Sequence, residues 1–125
     1  MKKTFLLSKI LICLILFSSC SDDNLSNNSI VGTWKMVSHS DLTTLTDCMK
    51  NSTITFNSNN SFGGTTYEAD CDKNIVSGSY IEINDSEYKI EIPNYDAEIT
   101  ASINNGNLTW IETNSFKTRT VRFNK

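Results

Sequence analysis

The single histidine, His39, is the side chain best suited to acid–base chemistry, and it stands among Ser38, Ser40 and Asp41. Neighbouring residues at the end of a strand point in different directions, so these side chains do not converge into a Ser-His-Asp arrangement. We interpret His39 as an exposed residue that enters a loop. We therefore expect no catalytic residues and no enzymatic activity.

Three carboxylates at alternate positions, Glu68, Asp70 and Asp72, are the second chemical candidate. Carboxylate oxygens bind calcium, but a calcium loop also has a central glycine and a more distant glutamate, and this spacing is different. A solvated acidic edge that resists pairing with another sheet is the simpler interpretation. The Gly63-Gly64 pair indicates a bend or bulge where a turn enters a strand. The sequence thus predicts no metal and no cofactor.

The N-terminus carries an export signal. Lys2 and Lys3 precede an unbroken apolar run over residues 10–17, which ends at Ser18 and Ser19. A membrane-spanning helix needs about 20 mostly apolar residues, so this run is too short to span. It is typical of a secretory signal peptide, which we assign to residues 1–19.

The end of this segment, Leu16-Phe17-Ser18-Ser19-Cys20, resembles the lipobox of bacterial lipoproteins. The resemblance implies that Cys20 is lipidated, begins the mature protein and attaches it to a membrane through its acyl chains. The following residues 21–23 resemble acidic signals that send lipoproteins to the surface of the outer membrane. We expect a surface-exposed anchor, with a periplasm-facing one as the alternative. Residues 20–29 then form a flexible tether.

The remaining cysteines follow from this assignment. Cys13 lies in the cleaved segment and Cys20 carries lipid, which leaves Cys48 and Cys71, 23 positions apart. In an oxidising envelope these two most simply form one disulfide, which stabilises the fold by about 3 kcal/mol in the chain-entropy model. A metal or redox pair is the alternative, but the spacing does not match a zinc site and no C-x-x-C motif occurs.

Composition sets the class of protein. The 125 residues, 38% of them apolar, suffice for one domain with its own core. Three of the eleven basic residues lie in the first nineteen positions, so cleavage leaves eight basic residues against fourteen acidic ones, a net charge of −6. Phosphate contacts need clustered Lys and Arg, and we therefore expect no nucleic-acid binding. We expect the domain to be a monomer.

From Ile30 onward the chain alternates between apolar and polar residues. The clearest runs cover residues 87–92 and 97–103, where the period of two predicts strands with one buried face. Turn residues separate the runs, most clearly at 104–107, where Asn-Gly predicts a hairpin. Residues 41–50 are expected to form a long loop with one helical turn. Eight strands are predicted, over residues 30–38, 52–57, 64–69, 76–83, 87–92, 97–103, 108–113 and 116–123.

Eight short strands are compatible with either a barrel or a sandwich, because both bury one face of every strand. The Gly32-Thr33-Trp34 triplet at the first strand resembles the opening G-x-W signature of lipocalins and of the lipocalin-like domains of bacterial lipoproteins. The resemblance covers residues 30–125 and implies an all-β, eight-stranded antiparallel up-and-down barrel. It also implies that Trp34 closes one end of the barrel and that a basic residue of the last strand packs across its indole. Arg119, which shares a face with Val121 and Phe123, is the expected partner.

The interior decides between two functions. An eight-stranded barrel is either packed solid or holds one small ligand. By analogy with the resembled family, we expect a small apolar ligand lined by Tyr67, Tyr88 and Trp110. The alternative is a filled scaffold whose disulfide-tied loops, within 39–71, bind a protein or glycan. We expect the inward side chains to be Ile30, Trp34, Met36, Ile54, Phe56, Tyr67, Ile81, Ile83, Tyr88, Ile90, Ile92, Ile99, Ala101, Ile103, Leu108, Trp110, Val121 and Phe123.

Overall fold

The predicted strands pair in chain order and close on themselves. The computed structural model describes residues 29–125. The predicted signal peptide (1–19), the lipidation of Cys20 and all but the last residue of the tether (20–29) therefore lie outside the described residues. Every neighbouring pair is antiparallel, and the last strand pairs with the first. The prediction of an eight-stranded up-and-down barrel is confirmed.

The strand bounds differ from the predicted ones by a few residues at most ends. One short 3₁₀ turn, Met49–Asn51, interrupts the long first loop. The strands are β1 Gly32–His39, β2 Thr53–Phe56, β3 Ser61–Tyr67, β4 Lys73–Asn84, β5 Glu87–Glu91, β6 Glu98–Asn104, β7 Asn107–Thr113 and β8 Thr118–Asn124.

The turns are made by residues that tolerate a left-handed backbone. Asn105 and Gly106 have φ angles of 49° and 75° between β6 and β7. Two successive positive φ angles are what a two-residue hairpin with the twist of its strands requires, and Asn-Gly supplies them at low cost. The predicted hairpin at 104–107 is confirmed. Asn60 and Asn94 have positive φ angles in two other connections.

One half of the barrel is filled with aromatic rings. The Phe56 ring lies 5.4 Å from both the Phe62 and Tyr80 rings, and the Tyr80 ring lies 5.9 Å from that of Tyr88. The Tyr80 hydroxyl donates a hydrogen bond of 2.6 Å to the Asn57 carbonyl. This half is the end at which β1 begins and β8 finishes.

The prediction for β4 was wrong in its orientation. Ile81 and Ile83, expected inside, are 52% and 59% exposed, whereas Tyr80 is only 5% exposed. Tyr80 pairs directly with the buried Ile90, so their side chains share the inner face. Apolar residues occur on both faces of β4, and packing of Tyr80 against the other rings decides which face turns inward.

The Gly63-Gly64 pair lies inside β3, not in a turn before it. Gly64 faces Ile54 of β2 and Val76 of β4, and a Cβ atom placed on it would be 2.2 Å from the Thr53 carbonyl oxygen. The strands approach so closely here that only glycine fits.

Candidate ligand-binding cavity

The closed end of the barrel is built around Trp34. Its side chain is fully buried, and its Nε1 donates a hydrogen bond of 2.7 Å to the Ile30 carbonyl. The Lys125 ammonium lies 4.8 Å from the centre of the Trp34 ring and donates to the carbonyls of Ser29 and Val31. Gly32 lies beside the same lysine side chain. The residues before β1 and after β8 thus cover this end together.

The prediction of which cation covers the Trp34 indole was wrong. Lys125, not Arg119, lies across Trp34. Arg119 lies near the other end of β8, six residues earlier, which is roughly 20 Å away at about 3.3 Å per residue. Arg119 does share the inner face of β8 with Val121 and Phe123, as predicted. Its position along the strand was misjudged, because it lies at the end of the barrel away from Trp34.

The opposite half of the barrel holds a cavity of about 470 Å³ that opens to solvent. This volume lies within the range of about 300–1,000 Å³ typical of small-molecule sites. Aliphatic side chains line much of this half, and Trp110, whose ring lies 6.0 Å from that of Phe62, marks the boundary with the closed half. The apolar wall includes Met36, Ile54, Val76, Trp110, Val121 and Phe123.

The predicted ligand-contacting aromatic residues separate in the structure. Tyr67 and Trp110 line the cavity, the first at its mouth and the second at its inner end. Tyr88 instead packs against Tyr80 in the filled half. The two halves could not be told apart from alternation, which gives the face of a residue but not its depth in the barrel.

A β-bulge turns His39 into the cavity. The register between β1 and β8 shifts between Met36 and Ser38, after which Ser38 pairs with Arg122 and His39 with Val121. An extra residue in a strand reverses the inside-outside alternation beyond it. His39 therefore joins the inner face of Val121, and it lines the cavity. His39 does enter the loop after β1, as predicted, but the prediction of an exposed side chain was wrong, because the residue is half-buried.

The His39 imidazole is held in its neutral form. Its Nδ1 accepts a hydrogen bond of 3.2 Å from the Asp41 backbone N–H. Burial lowers the pKa of His39 below its ordinary value, although the Asp41 carboxylate opposes this shift. A neutral ring with an accepting Nδ1 carries its proton on Nε2.

An ion pair lies on the cavity wall next to Trp110 and Val121. Arg119 Nη2 donates to both carboxylate oxygens of Glu112, at 2.8 and 2.7 Å. The Tyr95 hydroxyl donates to Glu112 Oε1. Glu112 is 8% exposed, and these contacts offset the cost of burying its charge. Burial raises the pKa of Tyr95, and its bond to Glu112 raises the pKa further, so the hydroxyl keeps its proton.

These features match a known family. A family model described as a lipocalin-like domain matches residues 30–124, which is most of the chain. The chain belongs to the lipocalin-like domain family. No curated protein matches its sequence.

The disulfide of this lipocalin-like domain lies at the mouth of the cavity. Cys48 and Cys71 are bonded, as predicted, with their Cα atoms 5.3 Å apart. The bond joins the loop between β1 and β2 to the turn between β3 and β4. Next to it, the fully buried Ser52 accepts a 2.9 Å hydrogen bond from the Tyr67 backbone N–H. These links fix two of the segments that surround the mouth.

In the lipocalin-like domain only part of β4 pairs with β5. β4 pairs with β5 only from Ser79 onward, opposite Glu91. Beyond Glu91 the chain reaches Pro93, which has no N–H to donate, and turns away at Asn94. The first half of β4 and the 92–95 turn therefore face each other across the cavity instead of pairing.

The acidic residues Glu68, Asp70 and Asp72 are all exposed in the turn between β3 and β4. Glu68 accepts a 3.1 Å hydrogen bond from Asn74. Within residues 29–125, no group of three or more His, Cys, Asp or Glu side chains is arranged to hold a metal ion.

The same part of the chain contains no helix that is both long and apolar enough to cross a bilayer.

Proposed function

We propose that this lipocalin-like domain binds a small, largely apolar molecule in its open half. The observation that carries this proposal is the 470 Å³ cavity, whose wall combines apolar side chains with a few polar groups. Ligand sites usually have this composition, because apolar area provides binding free energy and sparse polar groups fix orientation. An open cavity of this volume counts against the alternative of a filled scaffold that acts only through its loops.

Binding should be visible through Trp110. We expect saturable quenching of tryptophan fluorescence, at one ligand per chain, by the uncharged dye N-phenyl-1-naphthylamine, whose absorption overlaps tryptophan emission. Trp110 lines the cavity, whereas Trp34 is enclosed at the far end of the barrel. The Trp110→Phe variant should show weaker quenching while still binding dye, because only the more distant Trp34 then transfers energy. Quenching that fails to saturate, or that is as strong in this variant as in the wild-type chain, would contradict binding in the cavity.

We propose further that the domain is held at the outer membrane by lipid on Cys20, and that it acts as a monomer by binding rather than by catalysis. The lipobox-like sequence ending at Cys20 supports the anchor. Native mass spectrometry of the protein extracted from its own membrane tests both proposals. We expect a single chain that begins at an acylated Cys20 and carries a retained small molecule. An unmodified Cys20 would disprove the anchor, and surface proteolysis of intact cells distinguishes the exposed from the periplasm-facing orientation.

A further inference from the structure

The polar groups on the cavity wall indicate the chemistry of the ligand. Glu112, Arg119 and His39 lie on adjoining strands, with Arg119 directly opposite Glu112 and His39 directly opposite Val121. Arg119 and His39 are thus diagonal neighbours on the inner face, about 7 Å apart between Cβ atoms. Both side chains are long enough to reach one bound polar atom between them.

Most of the accepting capacity of Glu112 is already used. Its Oε1 accepts from Tyr95 and Arg119, and its Oε2 accepts a second bond from Arg119. These three bonds leave one of the about four acceptor positions of a carboxylate, on Oε2. Because Glu112 is only 8% exposed and its charge is already paired with Arg119, the carboxylate is a poor acceptor for a ligand N–H or O–H.

Arg119 still has one donor to offer. All its hydrogen bonds to residues of the described chain are made by Nη2, and its Nε is enclosed without a partner. Nη1 is neither paired with the described residues nor enclosed, and the side chain is 29% exposed. A guanidinium nitrogen can only donate. Nη1 is thus a free donor on the cavity wall.

His39 offers the second donor. Its Nδ1 is occupied by the Asp41 N–H, which leaves the proton on Nε2. Within residues 29–125 the structure gives Nε2 no hydrogen-bond partner. The two groups available beside the ion pair are therefore both donors, and the polar atom they bind must be an acceptor.

The net charge of the cavity wall distinguishes between a charged and an uncharged acceptor on the ligand. The positive charge of Arg119 is already balanced by Glu112, His39 is neutral, and Glu68 adds a negative charge at the rim of the cavity. A ligand carboxylate would lose its hydration without meeting a net positive charge. An uncharged carbonyl oxygen loses less hydration and still accepts both hydrogen bonds.

Building on the proposed function, we infer that the ligand is an uncharged amphiphile whose carbonyl-type oxygen, as in an amide, ester or ketone, accepts hydrogen bonds from Arg119 Nη1 and His39 Nε2. Its apolar body lies against Trp110 and the aliphatic wall. The site discriminates against carboxylates of the same shape, because Glu112 cancels the charge that would attract them.

Two isosteric probes test this inference. We would titrate the full chain in lipid nanodiscs with 2-naphthamide and with 2-naphthoate by calorimetry, using empty nanodiscs as the blank and N-phenyl-1-naphthylamine as an apolar reference. We expect 2-naphthamide to bind at least tenfold more tightly than 2-naphthoate. Equal binding, or tighter binding of the carboxylate, would overturn the inference without any variant.

The Glu112→Gln variant sharpens the test. It keeps an acceptor for Tyr95 but removes the charge that balances Arg119, so we expect the preference to shift at least tenfold toward 2-naphthoate. Glu98→Gln, which makes the same change on the outer face of the barrel next to the buried Ile99, should leave the preference unchanged. An equal shift in both variants would mean that overall charge sets the preference, and would overturn the inference.

His39→Leu tests the second donor and is independent of the ion pair. We expect it to weaken the binding of 2-naphthamide several-fold to about tenfold, the loss of one hydrogen bond, and to weaken 2-naphthamide more than the reference dye. If the dye binds but neither naphthalene probe does, the inference fails and the proposed function stands. If none of the three binds the wild-type chain, the proposed function fails as well.

Discussion

Replacement of Trp34 by alanine is expected to lower the free energy of unfolding by about 3–5 kcal/mol, the usual cost of deleting a large aromatic side chain from a core. Trp34 is completely enclosed, and the substitution also leaves the Ile30 carbonyl without its donor. Domains of this size are stable by only about 5–15 kcal/mol, so the loss removes a large part of the total. Chemical denaturation followed by circular dichroism measures it.

Two further variants identify the cation that covers the indole. Lys125→Met removes the ammonium and keeps most of the chain length, so we expect a loss of about 1 kcal/mol and a changed Trp34 emission. Arg119→Met removes a cation from the cavity end and, with both variants measured in a Trp110→Phe background so that only Trp34 emits, should leave the Trp34 emission unaltered. A Trp34→Ala variant that loses less than 1 kcal/mol, or an emission change that follows Arg119 instead of Lys125, would contradict the arrangement at the closed end.

Much of the architecture was predictable because it depends on local alternation. The strands at 87–91 and 98–104 alternate strictly, and the structure buries Tyr88, Ile90, Ile99, Ala101 and Ile103 as predicted. The Asn-Gly hairpin depends on local backbone preferences, which are equally visible in a sequence. The prediction that eight such strands close into a barrel, however, rested on the family resemblance of Gly32 and Trp34 and not on the alternation.

The errors lie where tertiary packing outweighs local pattern. β4 has isoleucines on one face and Val76 and Tyr80 on the other, so alternation alone does not show which face is buried. The packing of Tyr80 against Phe56 decides it. Apolar content alone favoured the wrong face. A pattern search that weighted aromatic side chains over aliphatic ones would have assigned Tyr80 to the interior.

The candidate site was less predictable than the fold. His39 faces the cavity because of a bulge near Met36, and a bulge leaves no periodic signal in the sequence. The Glu112–Arg119 pair joins directly opposed residues of β7 and β8, which requires the exact register of that hairpin. The sequence did contain one signal for this pair. Glu112 and Arg119 are residues of opposite charge that stand on either side of a short turn, at inward positions of neighbouring strands.

Replacement of Gly64 by alanine is expected to cost about 3 kcal/mol or more, although it adds one methyl group. The new Cβ atom would lie 2.2 Å from the Thr53 carbonyl oxygen and 2.9 Å from the Ile54 Cα atom. Both are backbone atoms of β2, so the strands must separate and weaken their hydrogen bonds, which makes this a severe form of overpacking. Gly63 provides a matched control in the same strand. A Cβ atom there would meet only the Val76 carbonyl oxygen, at an ordinary 3.7 Å, and Gly63→Ala should change stability by less than about 0.5 kcal/mol.

The comparison also tests how the cavity is walled. Gly64 pairs with Ile54 on one side and Val76 on the other, and both of these side chains line the cavity. If Gly64→Ala moves β2 away from β3, the dye that quenches Trp110 should bind more weakly to the folded variant, whereas Gly63→Ala should bind it normally. Equal stability of the two variants would mean that the strands approach less closely at Gly64 than the structure shows. Weaker dye binding in the Gly63 variant alone would place the ligand on the outer face of the sheet, because Gly63 points away from the interior.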